Sequence, residues 1–546
     1  MAERQELAGK GMTLAWWAQE VPDHKAIISP TGDRTFAELN ANANKVVRAL
    51  RKRGLADGDA VALMCTNRPA FVETWAACLR AGFRLTTINW HLTGEEAGYI
   101  VDDCEAKALV VDSSLLQTAR EAAALAANCT VRLAVGVGSA SEQPTVSGAS
   151  TTGAANQELS IDSFESYNAA IAAEDGGDID DATPGSQMLY TSGTTGRPKG
   201  VYRPPAQGAA AAAQASVNLW GYQEGSAEDL HICTGPLYHA APLAFSLAAP
   251  LAYGVGVVLM EKWDAEEALR LIAEHKITHT HMVPTMFHRL ISLPEDVRAK
   301  YDTSSLRHVL HGAAPCPVPV KQALIDWLGP VVVEYYAATE GVGSFVDSNT
   351  WLTKPGTVGK PFGEGQVIIG DEDGNEVARD TVGLVYIKAP EATRFQYYKD
   401  DEKTKGSFRG EYFTLGDMGY MDADGFLFLT DRTANLIISG GVNIYPAEVD
   451  AVLLEHPAVG DAATIGVPNS EWGEEVKAVV ELQPGIEPTP ELASELLEFC
   501  RGKLAGFKCP RSLDFVDELP RQDNGKIYKR LLRDRYRDAA ATEGVK

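Results

Sequence analysis

Positive charge is in short supply in this chain relative to negative. Lys and Arg number 49 against 74 Asp and Glu, a formal net charge of -25 at pH 7. That balance favours solubility and argues against a nucleic-acid surface, which needs clustered cations facing phosphates. A small anionic substrate would then have to find its positive charge locally, so isolated Lys and Arg in glycine-rich loops stand out. Cysteine is sparse too: eight residues, at 65, 78, 104, 129, 233, 316, 500 and 509, with no CxxC pair. The opening "MAERQELAGKG" has no apolar h-region, so no signal peptide is expected, and a reducing cytoplasm is the expected location. Cys316, in "AAPCPVP", belongs to no nucleophile motif and reads as a small residue in a turn. An unbroken membrane-length run is also missing. The stretch 240–260, "AAPLAFSLAAPLAYGVGVVLM", is long enough, but Pro242, Pro250, Gly254 and Gly256 interrupt it. It predicts a buried helix followed by a buried strand at roughly 255–260.

What is present reads as α/β. "FAELNANANKVVRALRKRG" has helical spacing and ends on Gly54; "AVALMC" suits a buried strand; "AFVETWAACLRAG" is helical again and "ALVVD" is another strand. Such βαβ repetition predicts a mostly parallel sheet covered by helices. Residues 136–158 are Ser/Thr/Gly/Ala-rich and predict a surface loop. A second α/β stretch runs to about 345. Residues 355–430 predict a β-rich subdomain with Asp-Gly hairpin turns at "DEDG" (371–374) and "DADG" (422–425); neither continues as an EF-hand loop. After Arg432 a small α+β unit is expected, with "AEVDAVLLEH" helical, "KAVVEL" a strand and "ELASELLEFCRGKL" helical. The boundary falls near 432–435, giving domains 1–432 and 433–546.

The densest cluster of phosphate-binding chemistry is "YTSGTTGRPKG" at 190–200. Its glycines let backbone N–H groups approach an anion, its hydroxyls add donors and Lys199 adds a point charge. A Walker A loop requires G-x-x-x-x-G-K-[ST]. Starting from Gly193, the second glycine would fall on Pro198, and Lys199 is followed by Gly200, so that pattern fails. A strand ("SQMLY") feeds the loop, and a helix started by two prolines ("PPAQGAAAAAQASVNLW") is expected after it, which argues against a plain flexible loop.

The loop resembles the phosphate-binding loop of adenylate-forming enzymes: acyl-CoA synthetases, luciferases and peptide-synthetase adenylation domains. Six further segments resemble that family's motifs in order: "PLYHAAP" (236–242), "HGAAPCP" (311–317), "YYAATEG" (335–341), "YFTLGDMGYMDADGFLFLTDR" (412–432), "SGGVNIYPAEVD" (439–450) and "LPRQDNGKIYKRLL" (519–532). Ala337 stands where the family motif has glycine, and Ala434 and Asn435 replace charged residues at the hinge.

The resemblance implies a large N-terminal adenylation domain of two βαβ-type sheets plus a β-rich subdomain, followed by a small mobile α+β domain. It implies two half-reactions: a carboxylate attacks the α-phosphate of ATP, giving acyl-AMP and pyrophosphate, and a thiol, usually coenzyme A, then takes the acyl group. It assigns Thr191, Ser192, Gly193, Thr194, Thr195, Gly196 and Lys199 to the β- and γ-phosphates, Glu340 to Mg2+, and Thr339 to the α-phosphate. Tyr336 would stack on adenine, with Gly312 and Ala313 opposite and Ala314, Glu334 and Tyr335 beside it. Asp417 and Arg432 would hold the ribose. His239, Ala240, Gly312 and Ala338 would line the acyl site. Lys526 would bridge the attacking carboxylate and the phosphate, Ala434 would sit at the hinge, and Gly440 and Gly441 would shape the thiol tunnel. Singly, Asp417 reads as a turn residue, Tyr336 as core and Lys526 as a surface lysine; in series with the other motifs, the site reading prevails. His279 and His281, in "EHKITHTHMV", would share one face of a strand, but no Cys or carboxylate stands at ligand spacing, so they read as structural.

The expected activity is an ATP-dependent acyl-CoA ligase using ATP, Mg2+ and coenzyme A, with a fatty or bulky apolar acid as substrate. The small residues Ala240, Ala241, Gly312, Ala313 and Ala314 suggest room for such an acid. The competing expectation is an acyl-AMP-forming enzyme that activates a polycyclic terpenoid, steroid or polyketide-type acid and hands it to a carrier protein or partner ligase. A luciferase-like oxygenase has no supporting feature, and the presence of Lys199, Glu340, Asp417, Arg432 and Lys526 argues against a non-catalytic relative. A monomer or homodimer is expected.

Overall fold

The computed structural model describes residues 2–137, 164–191, 198–203, 220–314, 316–363, 365–389, 391, 394–432, 435–439, 442–469, 472–521 and 527–543. The Ser/Thr/Gly-rich loop for the most part, and the Pro-Pro helix up to Leu219, lie outside that set. The chain forms two compact units. One comprises Met1–His281, Tyr301–His308 and Glu391–Thr404; the other comprises Met282–Lys300, Val309–Pro390 and Lys405–Lys546.

The first unit contains an eight-stranded sheet. In spatial order its strands are Gln396–Tyr397, Lys199–Tyr202, Ser186–Thr191, Arg84–Thr87, Ala60–Met64, Ala106–Asp112, Val131–Val135 and Glu165–Ser166. From Ser186–Thr191 to Glu165–Ser166 every pairing is parallel, as the βαβ pattern predicts. The strand Ala60–Met64 is buried at every position, as expected where helices cover both faces. The helices Phe36–Lys52 and Gly94–Asp103 both begin with full capping boxes, Thr35 with Glu38 and Thr93 with Glu96. A second group of strands orders His279–Met282, Leu230–Cys233, Gly256–Leu259, Lys25–Ile28 and Arg34–Thr35.

The apolar stretch 240–260 becomes helix then buried strand, with one irregularity. Residues Pro242–Ala248 form a π-helical turn, and the Ala249 N–H reaches back five residues to the Ala244 carbonyl. Pro250 follows immediately. Its ring would crowd the carbonyl four residues back in a regular helix, and the widened turn relieves that crowding. Among the described residues no helix is long and apolar enough to cross a membrane.

In the second unit, Val309, Leu310 and His311 pair in parallel with Val332, Val333 and Glu334, and Val332–Ala338 continues antiparallel to Gly341–Asp347. The β-rich part orders Val367–Gly370, Gly383–Lys388, Tyr412–Met421 and Phe408–Arg409, with Leu427–Arg432 also on Tyr412–Met421. "DADG" is the expected hairpin turn: the Asp422 carboxylate accepts the N–H groups of Asp424 and Phe426, and Lys354 pairs with Asp422 and Asp424. "DEDG" turns the chain only onto Glu376 and Val377; the antiparallel partner strand starts later, at Gly383. The C-terminal part is α+β as expected. Its strands order Val442–Ile444, Ile437–Ser439, Gly473–Leu482 and Val459–Asn469, with Ser512–Val516 parallel to Gly473–Leu482. The helices Pro446–Leu453 and Pro490–Lys503 contribute Val449, Leu453, Leu496 and Cys500 to its core.

Four histidines of the first unit are packed neutral. His279 and His281 lie buried on one strand, and the His279 ring sits 4.3 Å from that of Tyr222 and 6.0 Å from that of His308. His279 Nε2 donates to the Trp220 carbonyl (2.9 Å), and His231 Nδ1 pairs with the Tyr222 hydroxyl (2.9 Å). Burial holds His279 down to about 4, His281 to about 3 and His308 to about 4, and drives His231 well below its ordinary value. Because folding depresses these values, the unfolded chain takes up protons below about pH 6.5 that the folded chain refuses. Stability should therefore be full above that pH and fall on acidification towards pH 4, by about 1.4 kcal/mol per pH unit per histidine. Thermal midpoints measured from pH 7.5 to 4.5 check this: His308→Gln should show a shallower decline than the parent chain.

Candidate active site

In the first unit, the hairpin Ser186–Thr191 and Lys199–Tyr202 carries the phosphate-loop motif on its tip. Thr191 and Lys199 are cross-strand partners, so the strands bring both to the mouth of the loop. Ser192, Gly193, Thr194, Thr195 and Gly196 lie outside the described residues. The loop end of the hairpin is pinned by the Tyr190 hydroxyl on Asp103 (2.5 Å) and the Tyr99 hydroxyl on the Pro198 carbonyl (3.3 Å). Burial raises the Tyr190 phenol far above its usual range, so it stays protonated and keeps donating. The Lys199 ammonium lies 2.9 Å from the Asp400 carboxylate, which holds the lysine in its charged form.

The "PLYHAAP" segment is fixed from below by residues that the motif reading missed. The buried Asn67 amide donates to the carbonyls of Gly235 (2.9 Å) and Met260 (3.0 Å) and accepts the Leu237 N–H (2.9 Å). The Thr87 hydroxyl donates to the Tyr238 carbonyl at 2.9 Å. A single Asn amide thus ties the loop, at Gly235 and Leu237, to Met260 at the end of the strand Gly256–Leu259, an arrangement that holds a backbone in one conformation. His239 is half-buried and immediately precedes the helix that Ala240 begins. Its ring lies tilted against that of Tyr238 (4.5 Å between centroids), which meets Trp90 edge-on at 6.1 Å.

In the second unit, the strand Val332–Ala338 distributes three expected nucleotide residues to alternate faces, as the pleat requires. Glu334 turns to Lys321. The Nζ–Oε2 distance is 2.6 Å, both groups are buried, and the ammonium also lies 4.7 Å above the Trp351 ring. His311 Nε2 is 3.7 Å from the same carboxylate. Burial raises the Glu334 carboxyl while Lys321 opposes the shift. The carboxylate of Glu334 is therefore already committed to Lys321. Tyr335 covers Gly312: a Cβ there would come within 2.6 Å of the Tyr335 ring, so no larger residue fits without moving it. Tyr336 sends its hydroxyl to Asp417 Oδ2 at 2.7 Å, with both side chains buried.

Ala313 holds φ +68°, a left-handed conformation that costs a residue with a Cβ, and such strain collects at binding sites. Ala314 follows it, half-buried. Ala337, where glycine was expected, sits at a register shift in the strand pair, and it is not among the non-glycine residues with positive φ. Alanine therefore fits there without strain. Ala338 pairs with Gly341, so Thr339 and Glu340 form the two-residue turn between the strands, with Glu340 buried. Asp417 is the cross-strand partner of Arg432, whose side chain is outside the described set. Ala434, Gly440, Gly441 and Lys526 also lie outside it.

Burial pushes the Cys316 thiol far up, which favours its protonated form. Among the described residues no group of three or more His, Cys, Asp or Glu could hold a metal ion. The buried carboxylate of Glu340 nevertheless suits Mg2+, which takes most of its ligands from phosphate oxygens and water rather than from an all-protein cage.

The Lys321–Glu334 pair generates a stability prediction. Lys321→Met should destabilise by about 3–5 kcal/mol, because it strands a buried carboxylate. Adding Glu334→Leu should recover most of that loss, and denaturant unfolding of the single and double variants reads the difference.

The chain was compared with known proteins. The family model described as "AMP-binding enzyme" matches residues 14–398, and the model for the AMP-binding enzyme C-terminal domain matches 448–526. A 2-succinylbenzoate–CoA ligase of Bacillus licheniformis is 33% identical over 522 residues, covering 94% of this chain and 98% of that protein. One from Geobacillus kaustophilus is 33% identical over 527 residues, covering 95% and 98%. Among solved structures, an anthranilate CoA ligase in complex with anthranoyl-AMP superposes with a TM-score of 0.83 at 25% identity, covering 97% of this chain and 98% of that one. The o-succinylbenzoate CoA synthetase of Bacillus subtilis in complex with its acyl-adenylate gives 0.76 at 27% identity, covering 95% and 97%. With two family models matched in order, and full-length relatives above 30% identity, the chain belongs to the AMP-binding enzyme family of adenylate-forming ligases.

Proposed function

We propose that this AMP-forming acid–CoA ligase activates a ring-bearing carboxylic acid. Its cosubstrates are ATP and coenzyme A, with Mg2+ as the metal. The observation that carries the nucleotide role is the 2.7 Å hydrogen bond from Tyr336 to Asp417. Two residues from separate motifs, both expected at the nucleoside, meet as buried partners. The Tyr336 ring then takes the adenine, while Asp417 and Arg432 hold the ribose hydroxyls. An ionised carboxylate is a strong acceptor for such hydroxyls.

In the first half-reaction a substrate carboxylate oxygen bonds to the α-phosphorus and the bond to pyrophosphate breaks. Charge accumulates on phosphate oxygens, so positioned cations matter more than any protein nucleophile. Lys199 and the loop hydroxyls hold the departing pyrophosphate, Thr339 bonds the α-phosphate, and Lys526 bridges carboxylate and phosphate. Glu340 would hold Mg2+, which would supply charge neutralisation on the phosphates. In the second half-reaction the coenzyme A sulfur bonds to the acyl carbon and AMP leaves. The segment after Arg432 acts as a mobile domain that withdraws Lys526 and presents Gly440 and Gly441, pivoting near Ala434.

The ring-bearing acid rests on two supports. The named relatives activate 2-succinylbenzoate and anthranilate. The His239 segment also carries a contiguous aromatic set, Trp90, Tyr238 and His239. Fatty acids draw no support from those relatives, and neither does transfer to a carrier protein, since these relatives are named as CoA ligases or synthetases.

Purified protein should exchange pyrophosphate into ATP only when an acid is supplied, and should form an acyl-CoA detectable by mass spectrometry. Exchange without acyl-CoA would sink the CoA assignment. Across 2-succinylbenzoate, benzoate, a steroid acid and dodecanoate, kcat/KM should favour the ring-bearing acids; dodecanoate as the best substrate would reverse the substrate proposal. Lys526→Ala should lose adenylation yet keep most thioester formation from supplied acyl-AMP, and equal loss of both would refute the division of labour. Asp417→Ala should raise the KM for ATP by roughly tenfold or more, the cost of a hydrogen bond to a charged group, with the KM for the acid little changed.

A further inference from the structure

The carboxylate opposite Lys199 is not explained by any role in binding a nucleotide. Asp400 is an acidic side chain placed 2.9 Å from the one described cation of a loop expected to bind the most highly charged product. It is not a stray surface residue. The segment carrying it is strapped to the phosphate hairpin itself: Gln396 and Tyr397 pair with Tyr202 and Val201, and the Tyr398 N–H donates to the Gly200 carbonyl at 2.8 Å. Asp400 is then fixed locally. Its Oδ1 accepts the Lys403 N–H (3.1 Å), and its carbonyl accepts the Thr404 N–H (3.0 Å) and hydroxyl (2.8 Å). The Thr404 hydroxyl in turn accepts the Tyr397 N–H at 2.9 Å. The carboxylate is thus registered to the loop through a short, closed set of bonds.

The pair is also exchangeable. Lys199 keeps 34% and Asp400 23% of its side-chain surface in contact with water. Each holds the other in its charged form. An ammonium in that setting can pass from one anion to another without being stripped of all partners. When a polyphosphate reaches Lys199, the carboxylate remains beside it and repels it.

Resting on the reading of Lys199 as a pyrophosphate ligand, we infer that Asp400 is a resident counter-anion. It keeps Lys199 at the loop mouth in the free enzyme and competes with pyrophosphate for the lysine, so that the product leaves. Asp400 touches neither reacting atom; it is a positioning residue acting through Lys199.

The test is product inhibition. Asp400→Asn keeps the side-chain acceptor for Lys403 but removes the charge. Its inhibition constant for pyrophosphate, measured against ATP in the acyl-CoA-forming reaction, should fall about two- to fivefold, the range for a partly exposed ion pair. The KM for the acid should stay within about twofold. The gap between variant and parent should shrink at 0.5 M KCl, where the screening length is only about 4 Å. Asp400→Glu should restore the parental constant. An unchanged or raised inhibition constant in Asp400→Asn, with thermal midpoint and acid KM intact, overturns the inference. Lys199→Ala separates the underlying reading: if its pyrophosphate inhibition matches the parent's, Lys199 is no phosphate ligand, and it is that assignment which fails.

Discussion

A charge taken out of water must be met, and in this protein the meeting of Lys321 and Glu334 organises the second unit. The carboxylate sits one residue before Tyr335 on the strand Val332–Ala338, so its capture by a lysine on the helix Val318–Leu328 sets the rotation of that strand. With Glu334 turned one way, the pleat sends Tyr335 the other, onto Gly312, and returns Tyr336 towards Asp417. A slip of one residue would exchange every one of these partners at once. A buried ion pair is a poor source of stability compared with apolar packing. Its value here is register: this setting of the strand pairs the buried Glu334 with the buried Lys321.

The paucity of positive charge takes on meaning in the same light. Among the described residues, single cations stand at structured points. Lys321 is spent inside the fold, Lys354 on the turn at Asp422 and Asp424, and Lys199 at the phosphate hairpin opposite Asp400. Each is met by a carboxylate of the same unit, so none of the three lends the protein a long-range field for polyanions.

Much of this was legible in the sequence because it is local. The parallel strands of residues 60–135, the hairpin at "DADG" and the order of the motifs all depend on residues close together in the chain. The turn at Thr339 and Glu340 is not read from "YYAATEG"; it follows from the pairing of Ala338 with Gly341. What escaped are partners set by topology. Asn67 holds a loop some 170 residues away, Asp400 meets Lys199 only because Gln396–Tyr397 adds a strand to the hairpin, and Lys321 finds Glu334 across a helix–strand packing. None of these residue types is unusual at its position, so no periodicity or spacing marks them. "DEDG" misled for a related reason: an Asp-Gly turn specifies a reversal, but not which strand the chain returns to.

The π turn at Pro242–Ala248 has a consequence for how this region can change over evolution. A regular helix advances about 100° per residue, and the widened turn absorbs one extra residue without a break in packing. Everything before it, His239 included, is thereby set out of phase with the buried face after it. Loss of a single residue between Ala244 and Ala249 would swing that preceding segment roughly a quarter-turn about the axis while leaving the strand Gly256–Leu259 where it is. The turn therefore works as an indexing notch: at this place the chain can re-aim a side chain by changing its length instead of its chemistry.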